Sequence, residues 1–276
     1  MIDQALSIET PAHVVAIVFY AFAAGAMLFG VSMDRAGWRA AAHVVALFGL
    51  AVHSFALGAR WYGVGHGPYL TRYEVLSANA WMAVALFHAV RWRRTASEPL
   101  AIVVYPAALL LVGIGVYTGT EIMMLPPTFT GIWLAAHVAF YFVAFAAALI
   151  SLGYSLMFVV RDHPRLARLA VRLDADTCDR ESYRFAGLTF AFWGIGMLTG
   201  SIWAYYSWGR FWGWDPVETW SLVTWFVYGI YLHLRRFYGF KGSRAALMLL
   251  AGFVLAVGSL FFTSLLTTSL HSEYFS

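Results

Sequence analysis

Apolar residues run along this chain in long unbroken stretches rather than alternating with polar ones. Eight stretches, at 12–32, 40–59, 74–91, 99–119, 131–160, 185–206, 216–236 and 245–270, come close to or exceed the roughly 20 residues that a spanning helix needs. Continuous runs disfavour a closed β-barrel, whose strands alternate between lipid and lumen. Pro11 and Pro99 fall where helices are expected to start, and a missing N–H costs little there. The run 131–160 is long enough to tilt or to project beyond the hydrocarbon. The expected fold is an all-α membrane protein, one polytopic domain over residues 1–276 with a bundle of about eight transmembrane helices in the lipid bilayer.

Composition narrows the function classes. Hydrophobic residues make up 61% of the chain and charged ones only 12%, about half the share found in soluble domains. That is too little charge to coat a globule, which excludes a water-soluble enzyme and a disordered chain. The single cysteine, Cys178, excludes a disulfide framework. Of the 18 basic residues all but Arg60, Arg72 and Arg210 fall on the side holding connections 1–2, 3–4, 5–6 and 7–8. This bias puts that side in the cytoplasm. Both termini and the connections 60–73, 120–130 and 207–215 are then expected on the outer, periplasmic face of the inner (plasma) membrane. No basic residue precedes the first helix, so a cleavable signal peptide is not expected. The net charge of +4 reflects topology, and no motif for reading nucleic acid is present. The connection 161–184 carries Arg, acids and an apolar stripe of Leu166, Leu169, Val171 and Leu173. It reads as a cytoplasmic amphipathic connection lying at the inner surface, with partner docking as the alternative.

The outer connection between helices 6 and 7 is the chemical anomaly. It reads WGRFWGWDPVETW from Trp208 to Trp220. An interfacial aromatic belt accounts for one or two Trp per helix end. It accounts poorly for Trp208, Trp212 and Trp214 interleaved with Gly209 and Gly213. Flat apolar rings on a pliable backbone suit a broad planar ligand. Asp215-Pro216-x-Glu218 reads as a helix start, with Asp215 at the N-cap and Glu218 reaching back, so its effect on a ligand is through the angle of the loop.

Topology assigns depths to the histidines. His137 lies six residues past Gly131, ~9 Å below the outer end of helix 5, and His271 sits at the outer end of helix 8. Two neutral imidazoles flanking an aromatic shelf are what bis-axial ligation of a haem iron requires, and two unrelated interfacial histidines are the plainer alternative. His233 is 17 residues into helix 7, ~26 Å from its start and near the inner face. His43 and His88 lie at similar depth, and either, or a residue of another chain, could pair with it. Haem carries two carboxylates, which Arg binds in a fork, so one of the three outer arginines, Arg210 first, is expected to hold a propionate.

WGRFWGWDPVETW followed by a helix ending YLHLRR resembles the tryptophan-rich signature of the CcsA/ResC family of cytochrome c biogenesis proteins, within a haem-handling superfamily. The ending Pro-x-Glu-Thr-Trp is closer to that branch than to CcmC and CcmF. RWYGVGHGPYLTRYE, from Arg60 to Glu74, is similar to the outer loop of the same family, and His137, His233 and His271 occur in the order of its ligand histidines. The resemblance implies handling and export of haem b, with presentation at the outer face for covalent attachment to apocytochrome c. His137 and His271 would hold the iron outside and His233 inside, over the Trp208, Trp212 and Trp214 shelf. It also implies a CcsB/ResB-type membrane partner, which would supply one inner ligand, thiol-reducing factors, and a place in a holocytochrome c synthase complex. The rival reading is a membrane b-type cytochrome passing electrons between a quinol and a partner. A transporter for another flat aromatic molecule is a third.

Overall fold

The computed structural model describes residues 2–164, 166–170 and 173–262. His271 therefore lies outside the described residues, as does the end of the eighth expected span. The eight α-helices among the described residues are α1 Ile2–Ser32, α2 Ala36–Val64, α3 Arg72–Arg93, α4 Ala101–Tyr117, α5 Ile132–Val160, α6 Ala175–Trp208, α7 Pro216–Phe237 and α8 Ser243–Val257. Six helical segments are long and apolar enough to cross a membrane: α1, α2, α5, α6, α4 together with the 3₁₀ turn before it (Thr95–Tyr117), and α8 together with the π-helical turn after it (Ser243–Phe262); α3 and α7 fall short. The single polytopic domain expected from the sequence is built as two compact units, Met1–Met123 with Val160–Leu173, and Met124–Val159 with Asp174–Ser276.

In the first unit α1 packs along α2, α3 along α4, α1 against α4 and α2 against α3, which closes four helices into a bundle. Pro11 is inside α1 rather than at its start, because helical backbone extends back to Ile2. The helix α2 ends at Gly65 in the left-handed region, φ 79°, with its N–H on the Trp61 carbonyl, a conformation that only glycine adopts cheaply. Thr71 and Glu74 form a capping box at the start of α3. The bundle core is polar at one end. Arg60 is 1% exposed. Its Nε donates to Glu74 (3.0 Å), Nη1 to Glu9 (3.0 Å) and the Thr120 carbonyl (2.8 Å), and Nη2 to the Glu121 carbonyl (2.8 Å).

In the second unit α6 packs on α7 and α7 on α8. A buried cluster of Ala148, Ala186, Tyr228, Tyr231, Ala245 and Leu249 lies at one end and Ala144, Trp193 and Ala256 form another. Polar side chains stitch the helices together: Ser151 Oγ donates to the Ser182 carbonyl (2.8 Å), and Trp193 Nε1 and the Tyr141 hydroxyl both meet Ser221 Oγ (2.9 and 2.5 Å). Arg235 grips Asp179 through Nη1 (2.6 Å) and Nη2 (2.8 Å), fixing the end of α7 to α6. Within 161–184 a short 3₁₀ turn covers Ala167–Ala170, and α6 begins at Ala175. Asp174 caps it, and the Thr177 N–H and hydroxyl hold the Asp174 carboxyl below the usual carboxylate range.

Removing Arg60 leaves two buried carboxylates without their cation, a loss of about 3–5 kcal/mol. Arg60→Met is expected to lower the thermal midpoint in detergent, and adding Glu9→Gln and Glu74→Gln to recover part of it. An unchanged midpoint in Arg60→Met contradicts this reading of the bundle.

Candidate functional site

The second unit builds an aromatic site around His137. The ring lies against α6 where Gly196 and Gly200 leave room: a Cβ on Gly200 would run into the His137 imidazole, and one on Gly196 would meet the Tyr141 ring at 2.9 Å. His137 Nδ1 is 2.8 Å from the Gly196 carbonyl. A carbonyl only accepts, so the proton sits on Nδ1, and Nε2 is the nitrogen with the lone pair. Such a bond to backbone is how metal-ligating histidines have their tautomer and ring angle set.

Indoles continue the site from His137. Trp203 stacks beside it at 6.3 Å and 21°, and Trp208 packs on Trp203 at 4.8 Å in a T-shape. Phe129 closes on Trp203 from the loop before α5 (5.3 Å). That loop is pinned by the Thr128 carbonyl, which accepts from Trp203 Nε1 (2.8 Å) and Ser207 Oγ (3.0 Å).

Trp208 ends α6, and Gly209 follows it in the left-handed region with φ 72°. The loop is then tied to the start of α7. Glu218 accepts from the N–H groups of Gly213 (2.8 Å) and Asp215 (3.2 Å), and Asp215 accepts from the Val217 N–H (2.9 Å). The capping reading of Asp215-Pro-x-Glu218 is what the structure contains. Gly213 has its own reason to lack a side chain, since the Arg210 guanidinium lies where a Cβ would be. Trp214 is held at φ 56° and its side chain is 69% exposed. A bulky residue in that region costs of order 1–3 kcal/mol and is found mostly where function holds it. Trp212 packs edge-on to Trp214 at 5.9 Å, and its buried Nε1 donor has no hydrogen-bond partner among the described residues.

The remaining predicted residues fall elsewhere. His233 is exposed near the end of α7, between Phe237 (4.8 Å) and Tyr238 (5.8 Å). His43 and His88, considered as its mates, instead share the Tyr105 hydroxyl, at 2.6 Å and 3.3 Å. Of the three outer arginines, Arg60 is consumed by Glu9 and Glu74. Arg210 is exposed and has no hydrogen-bond or ion-pair partner among the described residues. Sequence reasoning passed over Gly196, Gly200 and Thr128 and left Trp203 out of the site. The available signal was Gly196-x-x-x-Gly200 inside an apolar helix, a spacing that admits a close neighbour.

Residues 69–271 match the family described as Cytochrome C assembly protein. The chain belongs to that family. Among its relatives, the cytochrome c biogenesis protein CcsA of Chlamydomonas reinhardtii is 31% identical over 223 residues, 78% of this chain and 63% of that protein. The CcsA of Synechococcus elongatus is 30% identical over 266 residues, 78% of this chain and 82% of that one. The chain thus spans less than two thirds of the algal relative's length and more of the cyanobacterial one's. Among solved structures, a cytochrome c haem lyase, CcmF, shares the fold with a TM-score of 0.71 at 16% identity, over 98% of this chain and 48% of that chain. Long apolar helices in a member of this family make the chain a multi-pass membrane protein.

Glu218→Ala frees the Gly213 and Asp215 N–H groups and removes about 1–2 kcal/mol of capping. Tryptic cleavage after Arg210 is expected to speed up several-fold in detergent. Cleavage at the wild-type rate contradicts the view that Glu218 holds the tryptophan loop.

Proposed function

We propose that the chain acts in cytochrome c biogenesis by binding haem b as cargo at the tryptophan-rich end of the second unit and presenting it for attachment to apocytochrome c. The observation that carries this reading is the His137 tautomer. Nδ1 is committed to the Gly196 carbonyl, so the ring offers Nε2 as a ligand. The names of the relatives, a cytochrome c biogenesis protein and a cytochrome c haem lyase, point the same way. The charge bias supports an outer-face position for this end in the inner membrane.

The chain's own residues supply binding and orientation. His137 gives one axial nitrogen, and His271, outside the described residues, is proposed as the opposite one. Trp203 and Trp208 wall the His137 side, while Trp212 and Trp214 offer ring faces in the loop between Gly209 and the Asp215 cap. Two unmet donors suit propionates. Among the described residues the buried Trp212 Nε1–H has no acceptor and the Arg210 guanidinium no carboxylate. Arg is suited to a carboxylate because its donors form a fork. Bound haem contributes the vinyl groups that accept the cysteine thiols, which belong to the apocytochrome. Positioning is then the protein's share. His233 is proposed as the inner ligand, with a CcsB/ResB-type membrane protein supplying its mate, because His43 and His88 are already bonded to Tyr105.

Haem-loaded protein in detergent is expected to give a low-spin spectrum that weakens in His137→Ala and in His271→Ala and returns on adding imidazole. Spectra unchanged in both variants overturn the reading. Arg210→Glu is expected to reduce haem occupancy, and full occupancy removes Arg210 from the proposal.

A further inference from the structure

The first unit holds a row of buried polar side chains that haem handling does not use. Glu9, His13 and Tyr20 come from α1, His53 from α2, and Tyr73 and Ser77 from α3, and each is at most 2% exposed. They form one unbroken hydrogen-bonded chain. The Tyr73 hydroxyl donates to Glu9 Oε2 (2.6 Å) and lies 2.6 Å from His13 Nδ1. His13 Nε2 meets Ser77 Oγ (2.9 Å), which also meets His53 Nε2 (2.8 Å), and His53 Nδ1 meets the Tyr20 hydroxyl (3.1 Å).

Glu9 is paired with Arg60, so it is an acceptor only. With Tyr73 donating to it, the Tyr73 oxygen takes the His13 Nδ1–H. His13 Nε2 must then accept from Ser77, whose oxygen accepts the His53 Nε2–H, and His53 Nδ1 accepts from Tyr20. His13 Nδ1 also lies 3.0 Å from the Glu9 carbonyl and 3.2 Å from its carboxylate. Every bond is satisfied, and every donor points towards Glu9. A structural network needs only satisfied partners. This one also has, at each interior link, a group that can accept a proton on one side while releasing one on the other. Ionisable chains of this kind inside membranes mark proton pathways.

We propose that the first unit conducts protons along Tyr20–His53–Ser77–His13–Tyr73–Glu9. In one pass Tyr20 gives its proton to His53 Nδ1, and the Nε2 proton of His53 moves to Ser77. Ser77 passes its own to His13 Nε2, His13 passes Nδ1–H to Tyr73, and Tyr73 protonates Glu9. No electron moves. Glu9, facing Arg60 with Glu74 on the far side of the same guanidinium, then releases the proton at that end of the bundle. Tyr20 is refilled from Tyr105 on α4, the helix packed against α1, whose hydroxyl carries His43 and His88. Among the described residues His43 Nε2 is buried without a partner. No hydrogen bond among the described residues joins Tyr20 to Tyr105, so this step is the gap in the path. On α1 the links from Glu9 to Tyr20 cover 11 residues, ~16 Å of depth. The Tyr105 cluster reaches His88, 14 residues past Glu74 on α3 and ~21 Å from it.

The test is proton flux into vesicles that contain the full chain and a trapped pH-sensitive dye, driven by a potassium diffusion potential with valinomycin. Wild-type protein is expected to raise flux above that of protein-free vesicles. Ser77→Ala, which removes the link between the two imidazoles, should cut the added flux by about a hundredfold, the low end of what a positioned proton relay contributes. Ser77→Thr, which keeps the hydroxyl, should retain it. Thermal midpoints of the variants verify folding. Wild-type vesicles no leakier than empty ones, or a folded Ser77→Ala that conducts like wild type, overturn the proposal and leave the row as bundle scaffolding. Haem binding at His137 is untouched by either result.

Discussion

The hydrogen bond from His137 to the Gly196 carbonyl organises the tryptophan-rich end of the second unit. An imidazole on an apolar helix can rotate, swap tautomers or fold away. Here one nitrogen is claimed by backbone that cannot move without unwinding α6, and the absence of side chains at Gly196 and Gly200 lets the ring come close enough to reach it. The same contact sets the plane of the ring beside Trp203, and through Trp203 the positions of Trp208 and Phe129. A single short approach between α5 and α6 therefore fixes the imidazole and the aromatic wall together.

A membrane gives no water to polar groups, so each must find its partner inside the protein. The two units meet that demand differently. The first internalises ions: Arg60 neutralises Glu9 and Glu74 and caps two loop carbonyls, and the histidines, tyrosines and Ser77 bond one another. The second relies on indole N–H groups that anchor helices by their backbone, Trp193 on Ser221, Trp203 on Thr128 and Trp225 on Phe190. Trp212, whose Nε1 has no acceptor among the described residues, and Trp214, exposed on left-handed backbone, take no part in that anchoring.

Much of this was legible from residue order because the physics was local. The apolar runs appear as helices, six of them in segments of spanning length, and Asp215-Pro-x-Glu218 as a capping box, since each signal is contained within one helix. What was not legible needed two helices at once. Arg60 read as an exposed carboxylate binder because Glu9, 51 residues earlier, is brought to it only by the packing of α1 on α2. His43 and His88 read as loose inner ligands because Tyr105 on α4 claims both. Gly196 and Gly200 went unremarked because a glycine's purpose is visible only once its neighbour is known. The charged run 161–184 hid the start of α6, whose amphipathic first turns look like a surface helix in sequence.

Electron cryo-microscopy of the haem-loaded chain is the decisive experiment for haem binding at Nε2 of a tautomer-locked His137. Iron bonded to His137 Nε2, with Nδ1 still on the Gly196 carbonyl and His271 on the opposite face, is the expected result. Iron bonded through Nδ1, or a haem seated away from His137 altogether, contradicts it.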